Sequence, residues 1–364
     1  MNLSFLDNQL CDIQETIAAG KRLTFEQGIK LFQTNDLIGL GRLADSFKRK
    51  KHGNNVFYVH NKHINYTNLC KNQCKFFAFS KKMDSSDGYT FSMDHIIQEI
   101  KKRQDEPIQE IHIVGGINPD LPFSYYIDLL KTIRSLRPHA TLKAFTAAEI
   151  HHIAQISGFS LIDTLAKLKD AGLSMIPGGG AEILSQRIHE ALFPNKIDGN
   201  SWLQVMETIH ESGLISNATM LYGHIETIEE RLWHLIKLRD LQDKTHGFSA
   251  FIPLSFHPKN TKLSSIPQTT AYDDLKTIAV SRLMLDNFEH IKAYWIMLTE
   301  KLAQIALHFG ADDLDGTIVE EKISHTAGAT SAIGMKKEDL IYLIQSANLT
   351  PVERNAFYQP VNSI

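Results

Sequence analysis

A parallel α/β barrel is the fold the sequence predicts, and three observations predict it. From about position 60 onward, short apolar runs with β-like character alternate with segments of helical apolar spacing, the pattern of repeated βα units around a parallel sheet. Eight such runs can be marked, the number that closes a TIM-type (β/α)8 barrel. The turn after the first run holds cysteines, where a doubly wound open sheet usually holds a glycine-rich phosphate loop.

Taken in order, residues 1–55 are expected to form a helical N-terminal extension, 56–319 the barrel and 320–364 a C-terminal helical cap. The strands are expected at 64–67, 111–114, 142–145, 173–176, 218–222, 248–252, 291–296 and 314–318. Between them, Met93, Ile96, Ile97 and Ile100 follow a Ser92 cap, and Phe123, Tyr126, Ile127 and Leu130 form the next apolar stripe. Trp202, Val205, Met206 and Ile209 run to a stop at Gly213. Thr227 and Glu230 stand at capping-box spacing ahead of Leu232, Leu235 and Ile236. In a barrel of this kind the chemistry belongs to loops that follow the C-terminal strand ends.

The chain has 364 residues, 43% of them hydrophobic and 22% charged, enough to bury a large core and too apolar for a disordered chain. The balance of 38 Lys+Arg against 41 Asp+Glu gives a net charge of −3, so nothing marks a nucleic-acid binder that works by phosphate neutralisation. No apolar run approaches the roughly 18 residues needed to span a bilayer, and Asp7 interrupts the N-terminus before a signal-peptide segment develops. A cytoplasmic protein is therefore expected, with no membrane partner. Three cysteines, Cys11, Cys70 and Cys74, are too few for a disulfide framework.

Directly after the first predicted strand, Cys70 and Cys74 lie four apart in the polar and aromatic loop Asn68-Leu69-Cys70-Lys71-Asn72-Gln73-Cys74-Lys75-Phe76-Phe77. Two such thiols suggest a soft-metal site; the plainer alternative is a pair of small apolar fillers. The segment resembles the CxxxCxxC loop of the radical S-adenosylmethionine enzymes, in which three cysteines hold a 4Fe-4S cluster. Here Phe77 stands where that pattern has its third cysteine, and a phenyl ring offers iron no lone pair. Cys70 and Cys74 remain as metal ligands, two thiolates that should hold a cluster weakly or not at all. Elsewhere MIPGGGAEIL, ATMLYGHIET, GFSAFIPLSFHP, IKAYWIM, GADDLDGTIVEEKISHTAGA and PVERNAFYQP together resemble the aminofutalosine synthase family of the futalosine route to menaquinone.

That resemblance implies S-adenosylmethionine and a 4Fe-4S cluster as cofactors and a flavodoxin or ferredoxin as electron donor. The implied substrate is 3-[(1-carboxyvinyl)oxy]benzoate, and the implied product 6-amino-6-deoxyfutalosine. It leaves room for a homodimer. Cyclic dehypoxanthinyl futalosine synthase and the deazaflavin synthases share the loop and barrel, and the DDLDGT and HIET runs favour the aminofutalosine branch. The cofactor-binding candidates are Phe76, Gly115, Gly116, Thr146, Glu149, Glu182 and Arg187, near predicted strand ends. Gly115 and Gly116 would let backbone approach a ligand, or else serve a tight turn with positive φ. Thr146, Glu149, Glu182 and Arg187 would reach the nucleoside, or else sit at helix N-termini. For substrate handling the pool is His224, His257, Asp312, Asp313 and His325.

Other motifs fail on their own terms. Gly178-Gly179-Gly180 is followed by Ile183 where a dinucleotide fingerprint needs glycine, and His224-x-Glu226 lacks the P-C-x-x-C of zinc deaminases. Three functional classes therefore compete: a radical enzyme disabled at position 77, a cluster-free barrel that binds nucleoside or aryl carboxylate, and a barrel lyase using a divalent metal.

Overall fold

A computed structural model of the chain describes residues 4–317 and 323–361. Ten strands organise it: β1 (Asn55–Val59), β2 (Asn61–Ile64), β3 (Glu110–Ile113), β4 (Thr141–Ala144), β5 (Leu173–Ile176), β6 (Ile215–Tyr222), β7 (Phe248–Ser255), β8 (His290–Ile291), β9 (Asp313–Gly316) and β10 (Thr350–Glu353). Strands β2 to β8 form one seven-stranded sheet in sequence order, every pair parallel. The expected class of parallel βα barrel sheet is thus what the chain adopts, with a difference at its seam.

The eighth expected strand does not join that sheet as a full member. It falls instead in a second sheet of order β10-β1-β9. A parallel bridge from Lys292 to Asp313 ties β9 to the end of β8, while β1 runs through His60 into β2. Thr317 secures that junction, donating its N–H to Val59 O (3.1 Å) and its hydroxyl to Asn61 O (3.0 Å). Position 318 of the expected strand lies outside the described residues, as does the 319/320 boundary between barrel and cap.

Helices cover the outside of the sheet, and their ends obey the sequence signals. Ser92 caps Met93–Lys101, Thr146 and Glu149 form a capping box on Ala147–Ser157, and Thr227 with Glu230 does the same for Ile228–Thr245. Three helices, Gln9–Ala18, Phe25–Gln33 and Leu37–His52, precede the barrel. The segment after it contains the helix Lys337–Ser346 together with β10, so it is not helical throughout. The alternation of β3 and β4 sends Ile111, Ile113, Leu142 and Ala144, all fully buried, into the hydrophobic core. In register with one another, His63, His112 and Lys143 take the intervening positions.

Candidate functional site

A cavity of about 290 Å³ occupies the barrel interior and its C-terminal mouth. Its mouth is formed by Cys70, Cys74, Phe76 and Phe77, with the glycine turns Gly115-Gly116 and Gly178-Gly179-Gly180 alongside. Its walls are apolar, with Val114, Leu221, Ile252, Leu254 and Phe256 among them. Its floor is polar: His63, His112, Lys143, Asn217 and Asp315. Thr146, Glu149, Glu182, Lys196 and His257 also line it.

Backbone bonds pin the cysteine loop over this cavity. Cys70 donates its N–H to Lys81 O (3.0 Å), Lys71 to Ile117 O (2.9 Å) and Lys75 to Leu192 O (2.9 Å). Beneath it, Phe76 joins Ile183, Ile188, Leu192, Phe193, Leu221 and Phe256 in a small apolar cluster against which Cys74 and Phe77 pack. The Phe77 ring lies 6.2 Å from that of Phe76 and 6.1 Å from that of Phe79. Burial pushes the Cys74 thiol up to about 12, although nearby Lys196 draws it partway back.

These residues do not fit a cluster held by three thiolates. Cys70 and Cys74 supply two sulfurs, the third position presents a hydrocarbon ring packed among other aromatics, and Cys11 sits on the helix Gln9–Ala18 rather than in the cavity lining. Cys70 itself is buried and Cys74 half-buried, so both also meet the description of apolar fillers.

The glycines serve the loop's close approach rather than a positive φ, since neither Gly115 nor Gly116 has one. A Cβ on Gly116 would stand 2.2 Å from Leu69 O, and one on Gly115 would stand 2.7 Å from Tyr66 Cζ. Because Leu69 O is backbone, it cannot swing aside. Gly116→Ala is therefore expected to destabilise the chain by about 1–3 kcal/mol and to speed reaction of Cys70 with a thiol reagent. An unchanged melt and an unchanged thiol rate would show that the loop tolerates the methyl group.

Glu149 is 3% exposed and braces three strand tops. Its Oε1 accepts from Tyr66 Oη (2.8 Å) and Gly115 N (3.0 Å), and its Oε2 from Thr146 N (2.7 Å). Burial raises its pKa, with those hydrogen bonds opposing. Glu182 forms an ion pair with Lys196, whose ammonium also faces the Phe76 ring at 5.9 Å. Burial pulls Lys196 down, but Glu182 and the neighbouring thiols outweigh it and leave its pKa raised. Glu182 (φ 53°) and Asp315 (φ 68°) line the cavity in left-handed backbone conformations, and Gln73 (φ 52°) lies within the cysteine loop. Such strain in non-glycine residues gathers at functional sites.

The structure brings Cys70, Cys74, Phe76, Gly115, Gly116, Thr146, Glu149, Glu182 and His257 to one cavity. Five other candidates from the sequence do not line it. Arg187 forms an ion pair with Glu230 (2.6 Å) on a half-exposed surface, and His224 pairs with Glu226 (3.0 Å). Asp312 pairs with Arg282 and with His290 (2.5 Å), Asp313 pairs with Arg354 (2.7 Å), and His325 contacts Ser331 O (3.0 Å). Asp312 and Asp313 precede Leu314 in β9 and so stand at the opposite end from the mouth.

Sequence reasoning passed over His63, His112, Lys143, Lys196 and Asn217. A usable signal was present for two of them: His112 and Lys143 each stand between buried apolar neighbours in a strand, as in Ile111-His112-Ile113. A single polar residue on alternating spacing points away from the core that its neighbours enter.

Residues 64–238 match the radical SAM superfamily, and residues 245–364 match the CofH/MqnC C-terminal region. The chain is 44% identical to aminodeoxyfutalosine synthase of Thermus thermophilus, covering 98% of this chain and 96% of that one. It is 39% identical to aminodeoxyfutalosine synthase of Streptomyces coelicolor, covering 96% and 93%. Cyclic dehypoxanthine futalosine synthase of Halalkalibacterium halodurans is 34% identical, covering 96% and 95%. Among solved structures, methylornithine synthase superposes with a TM-score of 0.75 at 16% identity, over 93% of this chain and 97% of that one. An FeFe-hydrogenase maturase superposes with a TM-score of 0.76 at 17% identity, over 95% and 76%. At those identities the two structures speak for the fold alone.

Proposed function

Because the chain belongs to the aminodeoxyfutalosine synthase family of radical S-adenosylmethionine enzymes, we propose that its cavity receives S-adenosylmethionine at the mouth and 3-[(1-carboxyvinyl)oxy]benzoate below it. We further propose that the chain as it stands does not turn over. The observation that carries this reading is the cysteine loop itself, seated over an apolar-walled cavity with Phe77 in the third ligand position. A 4Fe-4S cluster supplies the electron that starts the family's reaction; two thiolates do not assemble one, so no reductive step is assigned to this chain.

The remaining work of the site belongs to its own side chains. The glycine turns leave room for a ligand beside the cysteine loop, and Glu149 holds the tops of β2, β3 and β4 in one frame. Glu182 and Lys196 place a charged pair next to the mouth, suited to the amino and carboxylate groups of a methionine moiety. The apolar walls exclude water from an aryl ring bound against them. Among the described residues, no helix is long and apolar enough to cross a membrane, and the reading places the protein in the cytoplasm, with flavodoxin or ferredoxin as donor for a restored enzyme.

The test is product formation. Phe77→Cys, reconstituted under anaerobic conditions and supplied with dithionite, S-adenosylmethionine and the aryl enol ether, is expected to yield 6-amino-6-deoxyfutalosine identified by mass. The parent chain is expected to yield none above background. Product from the parent at the restored variant's rate would overturn the inactivity, and no product from a fully loaded Phe77→Cys would overturn the substrate. A second reading, a cluster-free barrel that only binds its ligands, draws on the same Phe77 ring packing.

A further inference from the structure

We propose that the row of His63, His112 and Lys143 on the cavity floor is the seat of a substrate carboxylate, and that the charge it receives is balanced by a proton taken up on the stacked His63–His112 pair. This rests on the aryl dicarboxylate reading above. Strand register sets the row: His63 pairs with His112 across β2 and β3, and His112 pairs with Lys143 across β3 and β4. The two imidazoles stack with centroids 4.6 Å apart and planes at 19°, and all three residues line the cavity. A planar carboxylate entering past apolar walls therefore meets two rings and an ammonium along one edge of the sheet.

Charge balance supplies the rest of the argument. Around the floor, Lys143 pairs with Glu110 (2.7 Å), Lys292 with Asp315 (3.4 Å) and Arg354 with Asp313 (2.7 Å). Three cations thus meet three anions, so among the described residues the floor is neutral while its histidines are neutral. An incoming carboxylate adds one uncompensated buried charge, which a protein interior penalises heavily. His112 is faced by His63 from β2, Lys143 from β4, Asp315 from β9 and Lys292 beyond β8, with Glu110 on its own strand. Burial and the neighbouring Lys143 ammonium hold His112 well below its usual pKa, so it is neutral before a ligand binds. A carboxylate alongside reverses that balance, and one shared proton restores neutrality without breaking any of the three ion pairs.

Calorimetry on the full chain with 3-[(1-carboxyvinyl)oxy]benzoate, run near neutral pH in two buffers of different ionisation heat, tests this without any turnover. About one proton taken up per bound ligand is expected. Affinity should also weaken as pH rises from about 6 to about 9, by up to about tenfold per unit. His63→Gln with His112→Gln should lower affinity at least about tenfold and abolish the uptake. Binding by the parent with no proton uptake and no pH dependence overturns the inference, and no folding defect can produce that result. A double variant that keeps the parent's affinity and uptake overturns it too, while leaving the substrate reading intact. A parent that binds S-adenosylmethionine but not the aryl enol ether removes the substrate reading, and this inference with it.

Discussion

Anaerobic reconstitution of Phe77→Cys with ferrous iron and sulfide is expected to load about four irons per chain, with the broad visible absorption of a 4Fe-4S cluster, while the parent stays far below that. The physical basis is donor count. Cys70 and Cys74 sit in a loop fixed by backbone bonds to Lys81, Ile117 and, through Lys75, Leu192, so a third thiolate arriving at position 77 joins a preformed pair. Cys74 is protonated at neutral pH, since burial holds its thiol up at about 12, and metal uptake must release that proton. Loading of the variant is therefore expected to improve from about pH 7 to about pH 9. Equal iron and sulfide in the parent would mean that a donor other than these three positions completes the site.

The same substitution has a stability signature with two signs. Phe77 packs against the cluster of Phe76, Phe193 and Phe256, and removing a ring from such a place costs part of the roughly 3–5 kcal/mol seen for full Phe truncation in cores. Metal-free Phe77→Cys should melt below the parent. Bound cluster stabilises only the folded form, so the loaded variant should melt above its metal-free state. Cys11→Ser should alter neither loading nor the loaded melt, because Cys11 lies on Gln9–Ala18 and outside the cavity lining.

How far these features could be read in advance depended on whether their causes were local. The strand at 173–176 is found where expected because Gly172 and Pro177 punctuate both ends. The strand expected at 64–67 is observed at Asn61–Ile64, since Tyr66 turns inward to bond Glu149 and Thr67 pairs with Thr90 instead of extending the sheet. The strand expected over 291–296 ends at Ile291, and Trp295–Leu298 is helical. Strands β1 and β10 pair with each other across some of the longest separations in the chain, which no local pattern announces. The capping signals, by contrast, concern neighbours within one turn and were legible outright.

The site divided along the same line. Cys70, Cys74 and the glycine turns were legible because βα loops after parallel strands converge by topology. His63, His112 and Lys143 were not legible as a group, because only strand register sets them side by side. His224 follows a strand, as a functional residue should, yet its side chain is fully buried against Glu226. Chain position names a loop; it does not say which way the side chain turns.

Asp312 is where that distinction yields the second large effect: Asp312→Asn is expected to destabilise the fold by about 3–5 kcal/mol and to leave ligand affinity of the folded protein unchanged. Asp312 and Arg282 are both fully buried, and Asp312 also accepts from Ile291 N (2.8 Å) and contacts His290 Nδ1 (2.5 Å). Removing its charge strands a buried guanidinium. The arrangement also bears on His52 and His290, which with Asp312 offer ligand atoms within 4.8 Å of one another: the carboxylate already has its cation in Arg282. Although burial favours the neutral acid, Arg282 and His290 outweigh it and hold Asp312 below the usual carboxylate range. A depressed folded-state pKa contributes stability that is present above the unfolded value of about 3.9 and is lost as pH falls toward the folded value. Denaturant melts of parent and variant should therefore lie furthest apart at neutral pH and converge progressively below about pH 4. A variant as stable as the parent but impaired in binding 3-[(1-carboxyvinyl)oxy]benzoate would return Asp312 to the substrate site.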